Sequence, residues 1–198
     1  MTRNPDRLVL FTDAVVAIAI TLLVLPLVEI VSEPGDEPPA EMVSHHWPQI
    51  FSFLLSFAVI AHLWFTHHRL FENVKRYNAP LVLLNMGWLL TIVVLPFPTG
   101  LVGEHSGDTF VRLFYVGTIL VSSLFLTALT LLVHGSPALA VEARGLSLPV
   151  VLRAVTPSTL LLLAFVLVPY IGYNSMFLLL LSPLIDVVTA RRAAGTAR

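Results

Sequence analysis

The chain has 198 residues, of which 57% are hydrophobic and 12% charged, with no cysteine and a formal net charge of −1. Its mean hydropathy is +0.88. A soluble domain carries roughly a quarter charged residues, so this composition belongs to an integral membrane protein. It also lacks a basic block to hold nucleic-acid phosphates and any thiol for disulfides, catalysis or metal binding.

A membrane helix needs about 20 mostly apolar residues. Six runs meet or approach that length: 8–30, 47–67, 80–98, 109–134, 148–168 and 173–188. They predict an all-α, six-helix transmembrane bundle in one domain, residues 1–190, followed by a cytoplasmic Ala/Arg-rich tail at 191–198. The first run is too long for a signal-peptide core, and no small-residue cleavage pattern follows it, so it is read as a retained helix.

The first span holds the most informative residue. Asp13 lies near its start, beside Arg7 and Thr12. A carboxylate near hydrocarbon costs several kcal/mol and usually faces a bundle interior. A helix turns roughly 100° per residue, which puts Ile18, Leu22, Leu25 and Glu29 on one stripe. That spacing suits helices packed around a common axis. Asp13 falls roughly 140° from Ile18 and is expected to turn into its own subunit, with Phe11, Thr12 and Ala17 in the same inner cluster. Thr21 borders the stripe, where its hydroxyl could touch a partly dehydrated cation, and Glu29 would concentrate cations at an outer mouth. Pro26 is expected to kink the helix. The bland alternative is that the stripe is ordinary helix packing and Asp13 a structural anchor.

The segment at 32–41 is rich in Pro and Glu and reads as an external loop. In the second span Trp64 and His68 share a face, and His67 lies on another. The third span adds Asn85 and Trp88, three apart. Polar groups at this depth must find partners, and Asp13 is the acceptor best placed for an imidazole or indole N–H. His62, His67 and His68 lack i, i+4 spacing and have no accompanying carboxylate, so they are read as anchors rather than as a metal site. A proton-relay role and a surface ion at His45 and His46 are the lesser readings. Ser122 and Ser123 are packing residues of the fourth span. Pro169-Tyr170-Ile171-Gly172 is expected to turn the chain between the last two spans, and Asp186 is expected to lie at the interface near Arg191.

Charge then orders the loops. Arg3, Arg7, Arg69, Lys75, Arg76, Arg144, Arg153, Arg191, Arg192 and Arg198 all fall on one side of six spans. Glu33, Asp36, Glu37, Glu41, Glu104 and Asp108 fall on the other, with Arg112 the sole basic residue there. The positive-inside rule makes both termini cytoplasmic. The chain has no nucleophile elbow, phosphate loop, HExxH or cofactor motif, so it is not expected to be an enzyme or to carry a cofactor.

Three strings carry a resemblance: Arg7-xxx-Phe11-Thr12-Asp13 running on into Ala17–Leu25, Trp64-xx-His67-His68-Arg69-Leu70-Phe71, and Leu95-Pro96-Phe97-Pro98-Thr99. Together they resemble the transmembrane protein 175 family, the endosomal and lysosomal potassium channels and their bacterial relatives. The resemblance implies a single-repeat homotetramer in a bacterial inner membrane, with the first helix of each subunit lining a potassium-permeable pore. Its partners are then further copies of itself, membrane lipid and potassium ions. The resemblance also implies a constriction at Ile18 with further apolar layers at Leu22 and Leu25, and a link between Thr21 and ion selectivity. The residues themselves are expected to form a structural and gating network of Arg7, Phe11, Thr12, Asp13, Trp64, His67, His68 and Asn85 that fixes the first helix against its own subunit. Two departures stand out. Thr12 replaces the motif serine, and Pro26 interrupts a stretch that relatives continue in aliphatic residues. The alternatives are a proton-coupled secondary transporter using Asp13 and the second-span histidines, or a non-transporting scaffold or small membrane enzyme.

Overall fold

The computed structural model describes residues 5–32, 38–141 and 145–175. Residues 176–188 of the expected sixth span, with Asp186, and the tail lie outside those residues, and 173–175, where that span was expected to begin, continue the fifth span instead. The described residues are helical: α1 (Asp6–Leu22), α2 (Leu25–Ser32), α3 (Pro39–His45), α4 (Trp47–Glu72), α5 (Ala79–Val94), α6 (Pro96–Glu104), α7 (Thr109–Gly135) and α8 (Leu148–Ile171). Joined across their proline breaks they make five helices long and apolar enough to cross a membrane, Asp6–Val31, Trp47–Glu72, Ala79–Glu104, Thr109–Gly135 and Leu148–Ser175. The chain is a multi-pass membrane protein.

Local chemistry sets these boundaries. Pro26 has no N–H to give the Leu22 carbonyl. The backbone tightens before it, with Leu23 N–H donating to Ile20 and Val24 N–H to Thr21, both at 3.3 Å. That break separates α1 from α2. The third span was expected to end at Pro98, but it runs on to Glu104. Pro96 and Pro98 occupy the first turn of α6, where no backbone N–H is required. Asn78 and Asp108 cap α5 and α7 by accepting from the N–H groups of Leu81 and Val111, each at 3.0 Å. The expected turn at residues 169–172 also shifts. Helix α8 continues through Pro169 to Ile171 and stops at Gly172, whose φ of 62° suits a residue without Cβ.

One contiguous core joins α1, α4, α5, α7 and α8. Its fully buried members include Ile60, Leu81, Trp88, Ile92, Tyr115, Leu129 and Val168. Small residues set close approaches. A Cβ on Gly103 would stand 3.1 Å from the Gln49 Cα, so α6 lies almost in backbone contact with α4. Hydroxyls tie the spans as well. Thr99 donates to Ser56, which bonds Tyr115 at 3.0 Å. Thr127 of α7 reaches the Ala154 carbonyl at 2.8 Å. The carbonyl that Pro157 leaves without its helical donor is the neighbouring one of Arg153, so the Thr127 bond to Ala154 is a further tie between α7 and α8. At the end carrying Arg69, Lys75 and Arg76, two loops are stitched by Lys75 N–H to Leu139 O and Val141 N–H to Asn73 O, both 2.8 Å.

Candidate pore helix and its anchor

Helix α1 is held by one face only. Thr12, Val16, Ala19 and Leu23 are buried, at 0%, 2%, 1% and 2% exposure. Their spacing of four, three and four defines the inward stripe. Asp13 lies at the edge of that stripe, half-buried.

Two polar chains fix the inward stripe to α4 and α5. In the first, the Trp64 indole N–H donates to Asp13 Oδ1 at 2.8 Å. His68 Nδ1 stands 3.9 Å from Asp13 Oδ2, within ion-pair range but too long for a hydrogen bond, and its Nε2 stands 3.9 Å from Glu72 Oε1. In the second, the Asn85 amide donates to Thr12 Oγ1 at 2.9 Å, and Thr12 donates in turn to the Leu8 carbonyl at 2.8 Å. The remaining Asn85 oxygen lies 2.7 Å from His67 Nε2. Since that oxygen only accepts, Nε2 is the ring nitrogen that carries the proton. The His67 ring is itself stacked between Phe71 at 4.2 Å and Trp88 at 4.1 Å. One histidine is thus held on both faces and at one edge, and it sets the position of Asn85.

Four of the residues named from the sequence, Asp13, Trp64, Thr12 and Asn85, touch directly. His67 joins them through Asn85, and His68 flanks Asp13. Arg7 and Phe11 do not join. Arg7 is exposed, and Phe11 is 53% exposed on the opposite side of α1. Ala17, expected inside, is also exposed. The reason is angular. Asp13 marks the edge of the inner face rather than its centre, so Ala17, one turn on, has already rotated out. Phe11 lies seven residues before Ile18 and continues the outward stripe instead. The stacked pair of His67 and Trp88 was not foreseen. Its signal was Trp88 three residues after Asn85, on the helix face of the residue that bonds His67.

The stripe expected to line an axis is open on this protomer. Ile18 is 60% exposed, Leu22 39% and Leu25 50%, and Thr21 and Glu29 are exposed too. Thr21 turns its hydroxyl back onto the Ile18 carbonyl at 2.7 Å. Among the described residues no group of three or more His, Asp or Glu is placed to hold a metal ion.

Comparison with known proteins follows the same residues. Residues 7–96 match the family described as the endosomal/lysosomal potassium channel TMEM175. A potassium channel of Streptomyces collinus is 33% identical over 99 residues, 50% of this chain and 48% of that protein. A potassium channel of Chamaesiphon minutus is 39% identical over 103 residues, 50% of this chain and 49% of that protein. The chain thus spans about half the length of the curated relatives it matches. The likeness of the fold is wider. The crystal structure of a lysosomal potassium-selective channel TMEM175 homolog from Chamaesiphon minutus superposes with a TM-score of 0.71 at 27% identity, covering 94% of this chain and 96% of that one. The matched segment and the shared fold agree: over residues 7–96 and in its architecture this chain is similar to the transmembrane protein 175 family.

Proposed function

We propose that the chain is a potassium-permeable cation channel, a homotetramer in which α1 and α2 of each copy line the pore. The observation that carries this reading is the two-sidedness of α1. One stripe is pinned by Asp13–Trp64 and Thr12–Asn85–His67. The opposite stripe leaves Ile18, Leu22 and Leu25 uncovered. Relatives named as potassium channels, and the potassium-selective neighbour, support the choice of ion.

In this reading rings of Ile18, Leu22 and Leu25 form an apolar constriction that gates by dewetting. Ile18 is the narrowest point, Thr21 contributes to ion preference, and Glu29 draws cations to the outer mouth. The anchoring network positions α1 and does not touch the ion, since Asp13 is already occupied by Trp64. Phe11 extends the lining toward the basic end. The basic loops support a cytoplasmic position for that end in a bacterial inner membrane, with both termini there, the domain spanning 1–190 and the tail 191–198.

The test is potassium flux into liposomes with wild-type protein and Ile18→Asn, using valinomycin to mark full capacity and sodium in a parallel run. A polar ring should hydrate the constriction and raise flux several-fold while narrowing the difference between potassium and sodium. Equal flux in both proteins removes Ile18 as the constriction. Saturable uptake that follows the proton gradient fits the transporter alternative instead.

A further inference from the structure

Helix α4 carries an ionisable side chain on the wrong face for a lipid-exposed surface. Its inward stripe of Ser56, Ile60, Leu63 and His67 is buried. Its outward stripe runs through Phe51, Leu54, Ala58, His62 and Phe65, all exposed. His62 is near the middle of the 26-residue helix Trp47–Glu72, only about 4 Å along the axis from its centre at 1.5 Å per residue. Its carbonyl accepts from Thr66 at 3.0 Å, and no hydrogen bond or ion pair engages its ring among the described residues.

The other outward faces differ. Helix α5 presents Leu83, Leu90 and Val93, and α7 presents Val121 and Leu124. All are apolar and suit lipid. The hydroxyls exposed at mid-span on other helices, Thr21 and Thr159, are satisfied by their own helices through the Ile18 and Val155 carbonyls. The His62 ring makes no such bond among the described residues, unlike His134, whose Nδ1 reaches the Thr130 carbonyl of its own helix at 3.0 Å. A polar ring left in hydrocarbon is expensive, and such residues face protein or water. Depth is the second observation. The Trp64–Asp13 bond aligns α4 with α1, which run in opposite directions. Counting outward from that bond, two residues to His62 against five to Ile18, places His62 level with Val15, about one helical turn inward of the proposed constriction. Tyr173 and Trp47 line one cavity. Counting inward about fourteen residues along each helix from there brings exposed Thr159 to the level of His62, so another copy offers a hydroxyl oxygen at the matching depth.

We infer that the α4 face centred on His62 is buried against a second copy of this chain, with the imidazole as an inter-subunit hydrogen-bonding group about one turn inward of the Ile18 ring. The inference rests on the oligomeric-pore reading and adds to it a second contact surface, distinct from the axis. The chain has no cysteine and 7 histidines, so site-specific photochemistry is a cleaner probe than thiol or metal chemistry. The full chain would be reconstituted in phosphatidylethanolamine–phosphatidylglycerol liposomes with benzoylphenylalanine at single positions, irradiated and run on denaturing gels.

Position 62 should give a covalent dimer, as should position 58, one turn away on the same face and with His62 intact. Position 18 should give dimers through the pore axis, and position 83 should give lipid adducts alone. Dimers at 18 with only lipid adducts at 58 and 62 would overturn this inference and leave the pore reading standing. No dimer at 18, 58 or 62, with a monomer mass in native mass spectrometry, would overturn both. Dimers at 58 and 62 would establish the face. A lower surviving tetramer fraction in His62→Leu than in His62→Gln would then assign the hydrogen bond.

Discussion

At the scale of single residues, the anchor of α1 rests on a few polar atoms that have no water to fall back on. The Trp64–Asp13 bond joins a neutral donor to a carboxylate at 2.8 Å, and bonds to charged groups are worth about 1.5–3 kcal/mol in aqueous proteins. Inside membranes, measured inter-helical couplings run from about 0.6 to about 2 kcal/mol, because the unfolded reference also finds partners. A double-mutant cycle of Trp64→Phe and Asp13→Ala, read by unfolding in mixed detergent, should therefore return a coupling of about 0.6–2 kcal/mol. Additive losses would show that the two side chains are neighbours without being partners. These residues were legible because each interrupts an apolar run, and the cost of burying a polar group marks it. The geometry was harder to read. The hundred-degree step separated Asp13 from Ile18 but misplaced Phe11 and Ala17, because one polar residue does not say whether it sits at the centre or the edge of its face. Thr12 supplies that answer, being fully buried and bonded to Asn85.

At the scale of elements, proline and glycine decide where helices break and how closely they meet. Pro26 was readable as a kink, and the chain tightens at Leu23 and Val24 as expected. Pro96 and Pro98 were not readable in the same way. Proline ends one helix and starts the next with equal ease, and only the continuation to Glu104 distinguishes the two. Partnership between helices was less legible still. Thr127 and the Ala154 carbonyl meet across α7 and α8, and nothing along either run names the other. Two glycines of α6 offer a paired test. A methyl on Gly100 would find only the Pro26 ring at 3.9 Å, whereas one on Gly103 would press on Gln49 backbone at 3.1 Å. Gly100→Ala should stabilise the protein by up to about 1 kcal/mol through helix propensity. Gly103→Ala should destabilise it by about 1–3 kcal/mol by forcing α6 off α4. Melting temperatures moving in opposite directions would locate the close approach. Equal shifts would mean that α6 and α4 are not packed at that contact.

At the scale of the whole molecule, the proposed pore predicts how charge at its mouth is felt. Glu29 is exposed near the end of α2, four residues after exposed Leu25 and beyond the break at Pro26. A ring of such carboxylates would raise the local cation concentration without binding any one ion, because clefts lined by one sign of charge focus the field. This effect has a signature that a structural role lacks. Screening shortens the reach of the ring from about 30 Å at ~0.01 M salt to about 3 Å at ~1 M. Glu29→Gln should therefore cut potassium conductance severalfold in dilute salt and leave it nearly unchanged in concentrated salt. Single-channel recording across that range reads both limits in one experiment. A loss that is equal at every ionic strength would mean that Glu29 shapes the mouth rather than charging it. No loss at any salt would take α2 away from the ion path, confining the lining to α1 and making Pro26 the point where the pore helix leaves the axis.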